Sequence, residues 1–304
     1  MDRDWVIALD LGGTDLKAGL VDRAGTLAHF TRRPSRTLES AEAPLEVMGA
    51  AGEELRAIAR GRAAGVGLGS PGVIHPATGA LVGRTPHLPH WDSLPLGERL
   101  AARLGLPVRA DNDANCAALA ESTLGAARGT RTSITVTLGT GVGCGIVAEG
   151  RVLHGAFGGA GELGHLPLGS GRYPCLCGIA DCVEPEASAS GLIARAREAG
   201  LEVGDAAAVF AAAARGDVRA VRLVDRMADR LGALLAVAVN LVNPEAVVVG
   251  GGVAQAGEPL FARLRRALER YALASHRDGL RLLPAELGER AGVIGAGLLG
   301  WQEA

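Results

Sequence analysis

The feature that most limits the fold of this chain is a run of short apolar segments separated by glycine turns, which occurs twice. Trp5 to Leu9 is rich in β-forming residues and ends at Asp10, before the turn Leu11-Gly12-Gly13-Thr14. Leu16 to Val21 follows, then Asp22-Arg23-Ala24-Gly25, then a third run from Thr26. Short strands joined by tight glycine turns predict a β-meander. About 127 residues later, from Leu11 to Leu138, the arrangement recurs. Ile134 to Leu138 precedes Gly139-Thr140-Gly141-Val142-Gly143, and Gly145 to Val147 precedes the turn Glu149-Gly150 and the run Arg151 to Leu153. A repeat this long duplicates a domain plan and is not a solenoid period.

Each meander leads into alternating helices and strands. In the first half the pattern predicts helices over Leu45–Arg60 and Leu94–Leu104 and a strand over Gly65–Gly69. A strand over Pro107–Ala110 then runs directly into a helix over Asp113–Leu124. In the second half Ala206–Arg215, Val218–Val242 and Leu260–Tyr271 read as helices, and Ala246–Val249 reads as a strand running into Gly250-Gly251-Gly252. Strands alternating with helices give an α/β fold. With 304 residues, about two domains are expected. The expected N-terminal lobe is 1–122, completed by a closing helix within 290–304, and the C-terminal lobe is 123–289. The periodicity breaks near 122–132, where Gly125, Gly129 and Thr130 fall.

Composition removes whole classes of function. Hydrophobic residues make up 48% and charged residues 21%, an ordinary globular balance. Thirty-one basic and 33 acidic side chains leave a net charge of -2, without the basic surplus that a nucleic-acid binder needs. The longest apolar stretch, Leu231 to Val242, contains Asn240 and stops at Asn243-Pro244, short of the ~20 residues of a membrane span. The apolar run near the start is cut at Asp10, too early for the core of an export signal. Lys17 is the single lysine, and the excess of arginine reads as coding bias. Three of the five cysteines lie within eight residues, which points to a metal site and a reducing cytoplasm, not to a disulfide framework.

Three glycine clusters follow apolar strands: Gly12 and Gly13, Gly139 to Gly143, and Gly250 to Gly252. Glycine lets backbone N–H groups approach an anion, so such turns can cradle phosphates, with Asp10 placed to hold a hydrated Mg²⁺. The competing reading is of ordinary hairpin turns. Neither the P-loop nor the Rossmann glycine pattern is present. A second cluster, Arg109-Ala110-Asp111-Asn112-Asp113-Ala114-Asn115, sits at a strand-to-helix junction. It can be a helix cap. It can also place Asp113 to accept a hydroxyl proton during phosphoryl transfer, with the helix N-terminus favouring the ionised carboxylate.

The sharpest signal is His165-x₉-Cys175-x-Cys177-x₄-Cys182, in a loop rich in Gly and Pro. One His and three Cys at this spacing fit a closed tetrahedral Zn²⁺ site, structural because no coordination position is left for a catalytic water. A chance CxC or a redox pair is the alternative. Cys116 and Cys144 fall outside the cluster and read as buried thiols.

The glycine segments together resemble the two phosphate segments and the adenosine segment of the actin–hexokinase ATPase fold, which implies two RNase-H-like lobes around a central cleft. Around the cysteines the resemblance sharpens to the ROK family (repressors, open reading frames and sugar kinases). It is carried by Gly161-Glu162-Leu163-Gly164-His165, Cys175-Leu176-Cys177-Gly178, Cys182-Val183-Glu184, Ser70-Pro71-Gly72-Val73, Asn112-Asp113-Ala114-Asn115 and the stretch from Gly155 to Gly161. The resemblance implies Asp113 as catalytic base. It implies Gly72, His87, Asn112, Glu162, His165 and Glu184 at the sugar, His165 also binding zinc through its other ring nitrogen. It implies Asp10, Gly12, Gly13, Thr14, Lys17, Gly139, Thr140, Gly141, Gly251 and Gly252 around ATP-Mg²⁺, with Lys17 otherwise a solvated strand lysine.

Three positions depart from the family pattern. Asp181 stands where Gly is usual, Lys17 stands near the first phosphate turn, and His87, in Pro86-His87-Leu88-Pro89-His90-Trp91, stands where similar kinases have Asn. The implied activity is an ATP-dependent hexose kinase, most simply a glucokinase, acting as a homodimer. An N-acetylmannosamine, N-acetylglucosamine or fructose kinase is the alternative within the same chemistry, and polyphosphate is the alternative donor. A non-catalytic sugar-sensing regulator is the alternative of another class. The family's regulators carry an N-terminal winged-helix domain of roughly 80 residues, and the first hairpin here begins at Trp5.

Overall fold

The computed structural model describes residues 4–302. In chain order, the first part runs β1 (Trp5–Leu11), β2 (Asp15–Val21), β3 (Leu27–Pro34), α1 (Ala43–Ala59) and β4 (Ala63–Ser70). A small hairpin of β5 (Val73–Ile74) and β6 (Leu81–Val82) follows, then α2 (Leu96–Leu104), β7 (Val108–Asn112) and α3 (Asp113–Thr123). The second part opens with β8 (Ser133–Leu138), β9 (Val142–Ala148) and β10 (Arg151–Val152). It continues through α4 (Glu184–Ala187), α5 (Ala189–Glu198), α6 (Ala206–Ala214), α7 (Val218–Val242) and β11 (Ala246–Gly250). The chain ends with α8 (Glu258–Tyr271), α9 (Ala274–Arg277), β12 (Arg281–Pro284) and α10 (Ala291–Trp301).

The chain divides into two compact units. Unit 1 holds Met1–Leu124, Val152–Ala160 and Glu289–Ala304, and unit 2 holds Gly125–Arg151 and Gly161–Gly288. This differs from the sequence expectation at 152–160, a stretch expected with the second lobe that packs with the first. Of the closing segment expected over 290–304, residues 303 and 304 lie outside the described residues, as do residues 1–3 at the other end.

The two units share one sheet plan. The orders are β3-β2-β1-β4-β7 and β10-β9-β8-β11-β12, so β1 and β8 are the corresponding central strands. In unit 1, β1 is antiparallel to β2 and parallel to β4, and β4 is parallel to β7. In unit 2, β8 is antiparallel to β9 and parallel to β11, and β11 is parallel to β12. A hairpin followed by helical crossovers between parallel strands is the RNase-H-like α/β plan that the family resemblance implied. β12 escaped the sequence reading because Arg-Leu-Leu-Pro is four residues long, half apolar and without alternation. Its proline is tolerated because β12 is an edge strand. α5 was also unpredicted, as Ser188 caps it through Gly191 N–H while its apolar residues are few.

Each sheet buries one large cluster. In unit 1, Ile7, Leu9 and Leu68 of the sheet pack on Met48 and Leu55 of α1 and Leu100 of α2. In unit 2, Ile134, Val136, Val247 and Val249 pack beneath Met227, Leu231 and Leu235 of α7 and Leu264 of α8. The opposite face of the first sheet is covered by α10 with α3, through Ala8, Val21, Cys116, Val293 and Ala296.

α10 reads Ala-Gly-Val-Ile-Gly-Ala-Gly-Leu-Leu-Gly-Trp, and its glycines are contact points. A Cβ on Gly295 would run into the carbonyl of Cys116, one on Gly297 into Val21, and one on Gly300 would come 2.5 Å from Val6 Cγ1. Gly67 on β4 answers from the other side, where a Cβ would meet the Ala296 carbonyl. Helix and sheet therefore meet backbone to backbone. Trp301 locks the end by donating Nε1–H to the Val21 carbonyl at 3.1 Å. Gly295→Ala offers a direct check. By helix propensity alone it would add ~1 kcal/mol, yet here it forces α10 off α3. We expect net destabilisation of about 2 kcal/mol or more, read as a lower urea midpoint with unchanged slope.

Candidate active site

The candidate residues of unit 1 lie at the ends of β1, β4 and β7. Asp10 is only 8% exposed and lies across the β1–β2 ladder from Lys17. Its Oδ2 is 3.4 Å from Lys17 Nζ, so this lysine is ion-paired and not simply solvated. Desolvation pushes the Asp10 carboxyl above its ordinary value, and the Lys17 charge pulls against that rise. Behind the carboxylate stands the first turn of α10, where a Cβ on Gly292 would come 2.5 Å from Oδ2. A buried, partly compensated carboxylate beside a glycine turn suits a hydrated divalent cation.

The turn itself is pinned by backbone and hydroxyl contacts. Gly12 N–H donates to the Asp15 carbonyl at 2.8 Å and Ser35 N–H to the Thr14 carbonyl at 2.9 Å. Thr37 Oγ1 donates to the Gly13 carbonyl at 2.7 Å. Neither Gly12 nor Gly13 has positive φ. A Cβ on Gly13 would sit 3.6 Å from His87 Nδ1, an ordinary contact. The fold thus has room for a side chain at 13, and it places His87 against the first glycine turn.

The strand-to-helix junction is where β7 meets α3. Asn112 is the N-cap: its Oδ1 accepts the N–H groups of Ala114 at 2.8 Å and Asn115 at 3.3 Å, and its Nδ2 donates to the Gly72 carbonyl at 3.1 Å. The capping role therefore falls on Asn112, and Asp113 is the first helical residue. Asp113 Oδ1 accepts Ala114 N–H at 2.9 Å. Gly72 has φ +93°, and a Cβ there would lie 2.8 Å from Leu81 Cδ1, so its glycine is required by the fold itself.

The sequence reading placed Asp111 in the junction cluster without a role of its own and missed His154. Asp111 is buried, and Oδ1 accepts Asn112 N–H at 2.7 Å and Asn115 Nδ2 at 2.9 Å. His154 Nε2 lies 2.7 Å from Asp111 Oδ2, and this hydrogen bond holds the imidazole pKa above its ordinary value against partial burial. Only an isolated histidine in the glycine-rich stretch hinted at it.

In unit 2 the corresponding turn is Gly139-Thr140-Gly141, since Val142 and Gly143 already belong to β9. Gly139 N–H donates to the Gly141 carbonyl at 3.1 Å, and Ala189 N–H at the start of α5 donates to the Gly139 carbonyl at 2.9 Å. A Cβ on Gly139 meets nothing within 4 Å. Gly251 is the opposite case: φ is +85° and a Cβ would lie 2.6 Å from Leu138 N. Gly252 beside it has open space.

The cysteine loop closes onto this turn. Glu184 Oε2 accepts Val142 N–H at 2.9 Å, and its other oxygen is 3.8 Å from Cys175 Sγ. One nitrogen of His165, Nδ1, is 3.6 Å from Cys175 Sγ; the other, Nε2, is 3.8 Å from Glu162 Oε2. Cys177 Sγ and Cys182 Sγ are 3.5 Å apart, and the ligand atoms of all four residues lie within 4.8 Å of one another. A tetrahedron with ~2.3 Å arms has edges of about 3.8 Å, so the donor set fits Zn²⁺. Desolvation and the neighbouring thiols push Cys182 up to about 12, a penalty that a divalent cation would remove. Asp181 adopts φ +64°, the left-handed backbone that Asp tolerates in place of Gly. Partial desolvation, with Glu184 adding like charge, raises the Glu162 carboxyl, while His165 draws it down. Cys144 is buried, and desolvation then Glu162 push its thiol well above its ordinary value.

The model of the ROK family matches residues 6–303 of this chain. The chain belongs to the ROK family. Among ROK relatives, a glucokinase of Halalkalibacterium halodurans is 37% identical, covering 98% of this chain and 96% of that protein. An N-acetylmannosamine kinase of Shigella flexneri is 35% identical, covering 97% of each. A solved ROK family glucokinase from Streptomyces griseus, in complex with glucose and AMPPNP, superposes with a TM-score of 0.85 at 31% identity, covering 98% of this chain and 100% of that one.

The glycine turns separate by stability. Gly139→Ala should keep thermal stability or raise it by ~0.4–1 kcal/mol, because the space and φ allow a methyl group. Gly251→Ala should lose about 2–3 kcal/mol, combining left-handed strain with a backbone clash. Paired urea titrations check both.

Proposed function

We propose that this chain is an ATP-dependent hexose kinase with D-glucose as acceptor, yielding glucose 6-phosphate and ADP. The observation that carries the reading is the place of Asp113, the first residue of a helix capped by Asn112, on a junction ordered by the hydrogen bonds of Asn112, Asp111 and Asn115. Asp113 takes the proton of the sugar's 6-hydroxyl as that oxygen bonds to the γ-phosphorus and the bond from phosphorus to the ADP oxygen breaks. The junction also dictates how Asn112 acts. Both lone-pair directions of its Oδ1 are used by the helix cap, so only its second Nδ2–H remains to donate to a sugar oxygen. Glu162 and Glu184 supply acceptors for sugar hydroxyls, and His165 adds its Nε2. Such polar arrays discriminate sugars better than an apolar pocket does.

His165 through Nδ1, Cys175, Cys177 and Cys182 would hold Zn²⁺, which supplies a rigid tie for the loop and no chemistry of its own. Asp10 would hold Mg²⁺, which supplies charge neutralisation at the donor phosphates. The turns at Gly12-Gly13-Thr14 and Gly139-Thr140-Gly141 would offer the donor phosphates the backbone N–H groups not already spent within the turns, as Gly12 and Gly139 N–H are, and Lys17 and Gly251-Gly252 would complete the nucleotide's contacts. Among the described residues no helix is long and apolar enough to cross a membrane. The free cysteines support a reducing, cytoplasmic setting, and family resemblance supports a homodimer.

The N-acetylmannosamine kinase relative and the histidine at 87 favour a second reading of the same chemistry with an N-acetylhexosamine acceptor. A coupled ADP-release assay with ATP-Mg²⁺ against glucose, fructose, N-acetylmannosamine and N-acetylglucosamine separates them. We expect turnover with glucose; turnover with another sugar alone moves the substrate, and turnover with none overturns the ATP-dependent reading. Asp113→Asn should lower kcat by about 10²–10⁴-fold, with the glucose Kd within about threefold of the parent by calorimetry. Unchanged turnover removes Asp113 as the base.

Purified protein should contain about one zinc per chain. Stripping it with a chelator should raise the sugar KM while the ATP KM holds, because the ligands share a loop with Glu184 and Glu162. A zinc-free protein with unaltered sugar KM would refute the zinc assignment.

A further inference from the structure

We propose that His154 is a positioning residue for the base, acting through Asp111: its Nε2–H fixes the carboxylate that shapes the junction carrying Asp113. The inference rests on the hexose-kinase reading.

Asp111 is buried, so its charged form depends on donors in the protein. Its Oδ1 takes Asn112 N–H and Asn115 Nδ2, both on the junction. Its Oδ2 takes His154 Nε2 at 2.7 Å, and His154 comes from a different stretch of chain. That bond fixes the carboxylate's rotation. Once it is lost, Oδ2 must find a new donor, and turning the carboxylate releases Asn112 N–H and the Asn115 amide together. Those groups flank Asp113, one on the N-cap residue just before it and one two residues after it. The logic is that of a partner that holds a reacting group in one geometry without touching the substrate.

A purely structural role for the ring would be to dock the 152–160 stretch on unit 1. That docking has other causes. The stretch is closed on itself by Ala160 N–H, which donates to the backbone carbonyl of His154 at 3.1 Å, a bond that any residue at 154 could accept. Gly158 lies against the Ile74 carbonyl with φ +87°, and Gly159 lies against Val73. The imidazole is therefore free to serve the junction. The same stretch runs on, eight residues after His154, into Glu162. One short segment thus begins at the base's support and ends at a sugar-binding carboxylate.

The test is a series at one position. His154→Gln can place an amide N–H near the Nε2 position, His154→Asn stops short, and His154→Ala removes the donor. We expect His154→Ala and His154→Asn to lower kcat by about 10- to 100-fold, the range for outer partners of site residues. The KM values for sugar and ATP should stay within about twofold, and His154→Gln should recover most of the rate. A raised sugar KM with kcat unchanged would make His154 a sugar contact and overturn the proposal. Equal rates for His154→Ala and wild type, or for His154→Gln and His154→Ala, would also overturn it.

Amide hydrogen exchange gives a readout independent of turnover. Asn112 and Ala114 N–H should exchange faster in His154→Ala and His154→Asn and return toward wild type in His154→Gln. Unchanged exchange would refute the positioning role even if no sugar were phosphorylated. Wild-type turnover on the sugar panel reports separately on the hexose-kinase reading. Should His154→Ala fail to fold by circular dichroism, His154→Asn carries the same two readouts.

Discussion

Unit 1 depends on a close approach between backbones. α10 lies directly on β1, β4 and α3 because Gly295, Gly297 and Gly300 on the helix, and Gly67 on β4, remove the Cβ atoms that would hold them apart. Close packing at this distance transmits small displacements, since interiors have little free volume to absorb them. The same approach sets the first turn of α10, at Gly292, against the buried Asp10 carboxylate. The position of a charged site residue thus follows from the packing of a helix nearly three hundred residues away in sequence. A lattice of large side chains could not bring helix and carboxylate this near.

The carboxylates among and beside the candidate site residues fall into two kinds. Asp111 and Glu186 are buried and engaged: Asp111 by Asn112, Asn115 and His154, and Glu186 by Ser170 N–H and Arg226. They hold loops in place. Asp113 and Glu162 are more accessible, and these are the groups that the proposed chemistry uses. Asp10 stands between the two kinds, buried yet paired only at 3.4 Å with Lys17. Glu184 serves both purposes, one oxygen anchoring Val142 N–H while the other faces the cysteine loop. Buried charge is expensive unless satisfied, so the division follows solvation: the buried carboxylates order the backbone, and the more exposed ones keep a share of water.

Much of the fold was legible because it rests on local signals. The paired meanders, the helix Val218–Val242 and the strand before Gly250 all follow from periodicity and turn residues, which act over a few positions. The four-residue β12 was not legible, since an edge strand of mixed polarity is stabilised by its neighbour β11 and not by its own pattern. Glycines were equally opaque. Gly12, Gly139, Gly72 and Gly251 look alike in sequence, yet Gly72 and Gly251 are demanded by left-handed φ and crowding, while Gly139 has open space. Only the neighbours of a missing Cβ distinguish these cases.

By itself the sequence determined the duplicated α/β plan and the spacing of His165, Cys175, Cys177 and Cys182, and it offered a helix cap as one of two readings of the junction around Asp113. These are properties of adjacent residues, fixed by propensity, capping and loop length. Tertiary structure alone decided that residues 152–160 join unit 1 and that His154 meets Asp111. It alone set His87 beside Gly13, and it turned one face of His165 to the thiols and the other to Glu162. The reason is physical. A hydrogen bond between residues 43 positions apart leaves no period in the chain, and its geometry exists only once the packed core has fixed both backbones.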